Sequence, residues 1–182
     1  MSNKQYKIMQ SVTVALFAVS LVVMVLAAVH VIVKWDVLYH KIPRAFSFWG
    51  EPDLNFAQYA DRRPLVSRLV LGGILGVILA ALAVYPKAWN LELQDIPKAA
   101  RADVTAIVQM ILSVFEFSSC VYFGTFIEAA VRGGKRFALT NLLLIILMAA
   151  AIVYGAILIV RTVKAAEAEE EEKAEEPETT DE

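Results

Sequence analysis

One acid stands in the middle of an otherwise apolar run. Glu116 lies within Val104 to Val131, where an ionised carboxyl costs on the order of a few kcal/mol at mid-bilayer depth. It must therefore face a partner or a cavity, or keep its proton. Gln109, Ser113, Glu116 and Cys120 follow i, i+4, i+7, i+11 spacing, which places them on one face of a helix. Such a stripe can hold a proton or a ligand; its commoner use is as hydrogen-bonding glue between helices. A second group is His30, at the end of one apolar run, Arg68, at the start of the next, and Glu128, at the end of the third. Alternating helix directions bring these three to similar depth on one side. Glu128 also precedes Arg132 by four residues, the favourable order for a helical ion pair. Snorkelling and local pairing account for the trio most simply. The alternative is a pocket built from His30, Arg68 and Glu128 beneath a lid carrying Glu51 and Asp53.

No catalytic set accompanies these residues. Two histidines, His30 and His40, and the single Cys120 do not make a zinc or haem site. Gly72-Gly73 falls inside an apolar helix and is no phosphate loop. Ser118-Ser119-Cys120 has no nearby base. Basic residues are scattered at membrane boundaries, which argues against nucleic-acid binding. The expectation is a protein that is not an enzyme and uses no cofactor or metal.

The elements that must position these residues follow from composition. The chain has 182 residues, 58% hydrophobic and 20% charged, with a mean hydropathy of +0.58; soluble domains are less apolar. Four runs are long enough to cross the ~30 Å of a bilayer core: Ser11 to Val33, Leu65 to Tyr85, Val104 to Val131 and Phe137 to Val160. Backbone groups in lipid must pair internally, so all four are helices. The first is too long for a signal-peptide core and no soluble domain follows it, so it reads as an uncleaved span. Pro64 and Pro97 suit the first turns of the second and third helices, with Asp61 and Asp95 just upstream as caps. Gly133-Gly134 ends the third, and Lys135-Arg136 begins the fourth after a short turn. Gly72, Gly76 and Ala80, with Ala151 and Gly155, permit close helix approach; packing within the chain and homodimerisation would read identically.

The connection from Lys34 to Pro64 holds seven of the eighteen aromatics: Trp35, Tyr39, Phe46, Phe48, Trp49, Phe56 and Tyr59. Gly50-Glu51-Pro52-Asp53 is a strong turn signal at its centre. An interfacial belt and a folded, partner-recognising cap explain it equally well. Residues 165–182 contain ten of the nineteen acids and one lysine, so a basic body of residues 1–164 is joined to an acidic tail. The tail lacks aromatics and long aliphatics and reads as disordered, with a helical extension through its Ala/Glu run as the alternative. Positive charges divide evenly between the two sides, so the positive-inside rule does not orient the chain. Cytoplasmic termini are preferred, because the first helix often dominates and an acidic tail is simplest to leave untranslocated.

The segment Leu38-Tyr39-His40-Lys41-Ile42-Pro43-Arg44-Ala45-Phe46, followed by Gly50-Glu51-Pro52-Asp53, resembles the opening domain of the SdpI-type immunity membrane proteins. Many small prokaryotic membrane proteins of unknown function share that domain. In the family an "I-P-x-H-F … G-x-P-D" loop joins the first two helices, and a "P-x-x-F-N" element precedes the third; Pro86-Lys87-Ala88-Trp89-Asn90 is its counterpart here. The resemblance covers roughly residues 10 to 130. Ala45 stands where the family has histidine, and the better-known members carry additional helices. The resemblance implies a role in binding a toxic peptide or relaying its presence, in a prokaryotic cytoplasmic membrane.

The expected fold is an all-α membrane protein, a four-transmembrane-helix bundle with an aromatic-rich loop between helices 1 and 2. A disordered acidic C-terminal tail completes it. The preferred function is an immunity- or sensor-like binding protein in which Phe46, Trp49, Gly50, Glu51, Pro52 and Asp53 engage a peptide or another membrane protein. The alternative is a small transporter, or an accessory or structural subunit, with Glu116 as the intramembrane protonatable group. The bilayer itself is the one partner that composition demands.

Overall fold

Long apolar runs become helices because a helix pairs each backbone N–H and C=O within its own segment. In the computed structural model these are α1 (Asn3–Lys34), α2 (Arg63–Val84), α3 (Lys98–Arg132) and α4 (Thr140–Glu175). One 3₁₀ turn, Trp35–Val37, follows α1. The structure describes residues 3–38, 42–43, 45–52, 62–86, 96–133, 135–136 and 139–175. All four helices are long and apolar enough to cross a membrane. Among the described residues, extended pairing is limited to one bridge between Phe46 and Pro52. The chain is a multi-pass, all-helical membrane protein.

Local chemistry sets the helix ends. Pro64 occupies the first turn of α2, where a missing N–H costs nothing, and Pro97 immediately precedes α3. Gly133 closes α3 in the left-handed conformation, φ +63°, its amide donating to the carbonyls of Ala129 and Ala130. Asp61, Asp95 and Gly134, expected at these ends, lie outside the described residues. Arg62 stacks over the Trp35 ring at 4.9 Å, tying the start of α2 to the end of α1.

Two features of α4 bear on the expected boundaries. The described helix starts at Thr140, after Lys135 and Arg136, the residues expected to open it; Phe137 lies outside the described residues. Helix also continues to Glu175, which is the helical extension through the Ala/Glu run, the alternative to disorder from Ala165. Ala and Glu are strong helix formers, and Ala166 packs against Ala100 and Val104 of α3, so the extension begins with a tertiary anchor. The rest of the acidic tail, 176–182, lies outside the described residues.

Helix α3 is the hub. It packs against each of the other three, whereas α1 and α2 meet only lightly. Of its most apolar stretch 44% is buried inside the protein, against 17%, 17% and 11% for α1, α2 and α4. At the aromatic-loop end, Val31, Leu38, Ile42 and Leu65 close around Phe126 and Ile127. At the terminal end, Met9 of α1 packs on Ala106 and Ile107. The small residues work within the chain. A side chain at Gly155 would collide with Ile111, and a Cβ at Gly76 would sit 3.1 Å from the Cys120 sulfur. Outward-facing Leu21, Val77 and Ile146 are exposed, as lipid-facing residues are.

Candidate functional site

The Phe46–Pro52 segment folds as a small hairpin. Phe46 and Pro52 form an antiparallel bridge, Ser47 N–H donates to the Glu51 carbonyl at 2.7 Å, and Gly50 N–H to the Ser47 carbonyl at 2.9 Å. The Ser47 hydroxyl accepts from the Glu51 amide at 3.1 Å. Gly50 sits at φ +84°, a conformation that disfavours any residue with a Cβ. The turn signal around Gly50 thus becomes a real turn; Asp53, counted with it from sequence, lies outside the described residues.

The hairpin is seated on the turn between α3 and α4. Arg136 N–H donates to the Gly50 carbonyl at 2.8 Å. Asn141 Nδ2 donates to the Phe48 carbonyl at 3.1 Å, and Lys135 Nζ lies 2.6 Å from Glu51 Oε1. Phe46 places its ring edge-on against Phe126, with centroids 5.1 Å apart. These ties leave Phe48 and Trp49 at the tip, 45% and 60% exposed, in T-shaped contact with each other.

The hydrogen bond and charge of Lys135 hold the Glu51 carboxyl below the ordinary value of 4.5. A carboxyl held low contributes to docking above that ordinary value, and the contribution disappears as pH falls through its own lower value. Acidification from pH 7 to about 3 is therefore expected to lower the protection factors of the hairpin amides, each rate being referred to the intrinsic exchange rate at the same pH, and modestly, since the pair is solvent-exposed. High salt at neutral pH should act in the same direction. Protection factors independent of both would show that Lys135–Glu51 contributes nothing.

The main brace is Arg136, which sequence reasoning treated only as a boundary charge. Its side chain is 4% exposed. Nε donates to Thr125 Oγ1 and a terminal nitrogen to the Tyr122 carbonyl, both at 3.1 Å. The Thr125 hydroxyl can accept because its own proton goes to the Val121 carbonyl at 2.8 Å. The guanidinium also lies 4.3 Å over the Tyr122 ring, and burial draws it below the usual arginine range. Its backbone holds Gly50 while its side chain holds α3.

Beneath Phe48 lies a cavity of about 400 Å³ between α2, α3 and α4, lined by Leu75, Ser118, Tyr122, Asn141, Leu144 and Met148 among others. Two buried polar atoms at its wall, Ser118 Oγ and Asn141 Oδ1, lack a hydrogen-bond partner. Asn141 Nδ2 is committed to the hairpin, so Oδ1 is an acceptor awaiting a donor. Nothing in the sequence marked either residue beyond its type.

The intramembrane polar residues are distributed differently. Gln109 reaches from α3 to the Ala83 carbonyl at the end of α2, at 2.9 Å. Ser113 bonds back to its own helix at the Met110 carbonyl. Glu116 is 5% exposed and accepts from Cys120 at 3.4 Å. Of the expected trio, two members meet: His30 Nδ1 pairs with Glu128 Oε2, whose other oxygen lies 2.5 Å from Arg132 Nε. Arg68 is not with them; it rests over the Phe126 ring at 5.2 Å. Of the expected lid, Glu51 is engaged with Lys135 and Asp53 lies outside the described residues. His30 and Glu128 border a shallow groove between α1 and α3. Among the described residues no three His, Cys, Asp or Glu side chains are grouped as metal ligands. Comparison with protein-family models, with curated proteins and with solved structures finds no match for this chain.

Proposed function

We propose that the chain is a non-enzymatic, immunity- or sensor-like binding protein of a prokaryotic cytoplasmic membrane. Its hairpin and the cavity beneath receive an apolar, amide-bearing chain such as a hydrophobic peptide. The observation that carries this reading is the pairing of an exposed aromatic tip with unsatisfied polar atoms below it. Phe48 and Trp49 offer apolar contact area, and Asn141 Oδ1 and Ser118 Oγ offer hydrogen bonds that an amide can complete. Buried polar atoms normally have partners, so two on one cavity wall mark a place for a ligand. The resemblance of the loop to the SdpI-type family supports the same reading. With cytoplasmic termini, the hairpin faces outward, where a secreted peptide would arrive.

A photo-crosslinking amino acid at position 49 tests this in intact cells of the source organism, with one at Val153 on the lipid-facing side of α4 as control. The expected result is a discrete peptide or protein adduct from position 49, lost when Gly50 is also replaced by alanine. Adducts matching those from Val153, or lipid adducts alone, would overturn the reading.

A further inference from the structure

The geometry points to a second, independent site: a lipid-facing cleft between α1 and α2 that binds a lipophilic amine through Glu116. Because α1 and α2 each pack on α3 but scarcely on one another, they leave a cleft of about 440 Å³. Phe17, Leu21 and Met24 form one wall, Gly73 and Val77 the other, and Glu116 with Cys120 the floor. The rim residues Leu21 and Val77 are 66% and 70% exposed, so entry is from the bilayer. Glycine keeps the space open. A Cβ at Gly73 would meet nothing within 4 Å, and one at Gly76 would stand 3.6 Å from Glu116 Oε1.

Glu116 is poorly served by its own protein. Oε1 accepts from the Cys120 thiol on the same helix, a weak donor, and among the described residues Oε2 has no hydrogen-bond partner although it is buried. Ser20 of α1 lines the same cleft and stands close enough for its hydroxyl to reach Glu116, but it shares its single proton with the Leu16 carbonyl at 2.8 Å. No Lys, Arg or His lines the cleft. Across the helices the Glu116 carboxyl meets one neutral hydroxyl, that of Ser20, and its second oxygen is left open. What the cleft lacks is a cation.

An amine with an apolar body supplies it. The free base enters from the bilayer and takes the carboxyl proton: the O–H bond of Glu116 breaks, an N–H bond forms, and an ammonium–carboxylate pair remains. No other reactant is needed. In a medium of low dielectric that pair replaces a carboxyl whose second oxygen is otherwise open, and the apolar walls cover the body of the ligand. This site lies on a different face from the hairpin and its cavity, so either proposal can fail without the other.

The test uses the full chain in lipid nanodiscs, with dicyclohexylcarbodiimide as the probe and mass spectrometry to locate the adduct. That reagent adds to a protonated carboxyl in apolar surroundings and rearranges to a stable acylurea. Glu116 should label in the wild type and not in Glu116→Gln. Dodecylamine at about ten times its Kd should slow labelling roughly tenfold, whereas dodecanol, of equal length and uncharged, should not. Gly73→Leu, whose Cβ has open space around it, extends a side chain into the cleft and should abolish amine protection, with thermal unfolding confirming that its fold is retained. Absence of labelling at Glu116, equal protection by dodecanol, or undiminished amine protection in Gly73→Leu would each overturn the proposal.

Discussion

Alanine at position 50 is expected to unseat the hairpin while leaving the four helices in place. Two penalties fall on that one methyl group. The left-handed backbone at φ +84° costs a residue with a Cβ about 1–3 kcal/mol. The Cβ would also be driven into the carbonyl oxygen of Arg136, the residue whose amide is bonded to Gly50. Relief requires the hairpin to withdraw, which forfeits that hydrogen bond as well, about 1 kcal/mol more. Hydrogen exchange at the Arg136 amide should then accelerate about a hundredfold, and Trp49 emission should shift. Amides within α2 and α3 should be unaffected. An unchanged Arg136 amide would mean that the hairpin seat is not where the geometry puts it.

Arg136→Ala should have the larger global effect. The guanidinium is buried and satisfies the Tyr122 carbonyl and Thr125 hydroxyl together, with the Tyr122 ring covering its face. Charge-assisted hydrogen bonds of this kind contribute about 1.5–3 kcal/mol each. The expected loss is roughly 3 kcal/mol, read as a lowered unfolding midpoint at fixed lipid and detergent. Arg136→Lys should recover less than half, because an ammonium lacks the planar fork that reaches two acceptors and stacks on a ring. Full rescue by lysine would reduce Arg136 to a generic boundary charge.

The fold was legible where the physics is local. Apolar length marked all four spans, and Pro64, Pro97 and Gly133 marked ends, because a missing N–H or a left-handed residue acts within one turn. The stripe of Gln109, Ser113, Glu116 and Cys120 indicated that one face of α3 is internal. It could not indicate that α3 packs on every other helix, since that depends on which small residues meet which neighbours. Depth could be inferred for His30, Arg68 and Glu128, but rotation about the helix axis could not, and rotation is what sends Arg68 to Phe126. The turn at Gly50 was visible in its own residues. Its seat was not, because Arg136 is distant in sequence and looks like any arginine at a membrane boundary. Beyond Ala165 composition leaves disorder and helix both open, because it shows the acids and not the contact of Ala166 with α3.

The bond between Gly50 and Arg136 also has a meaning in time. A ribosome delivers the hairpin together with α1 and α2, long before it delivers the turn that receives it. Until α3 is in place the Phe46 ring lacks Phe126, and until the chain has reversed after Gly133 the Gly50 carbonyl has no Arg136 amide to accept from. The docked hairpin is therefore a late event: its exposed aromatic tip is seated only once the chain has passed Arg136.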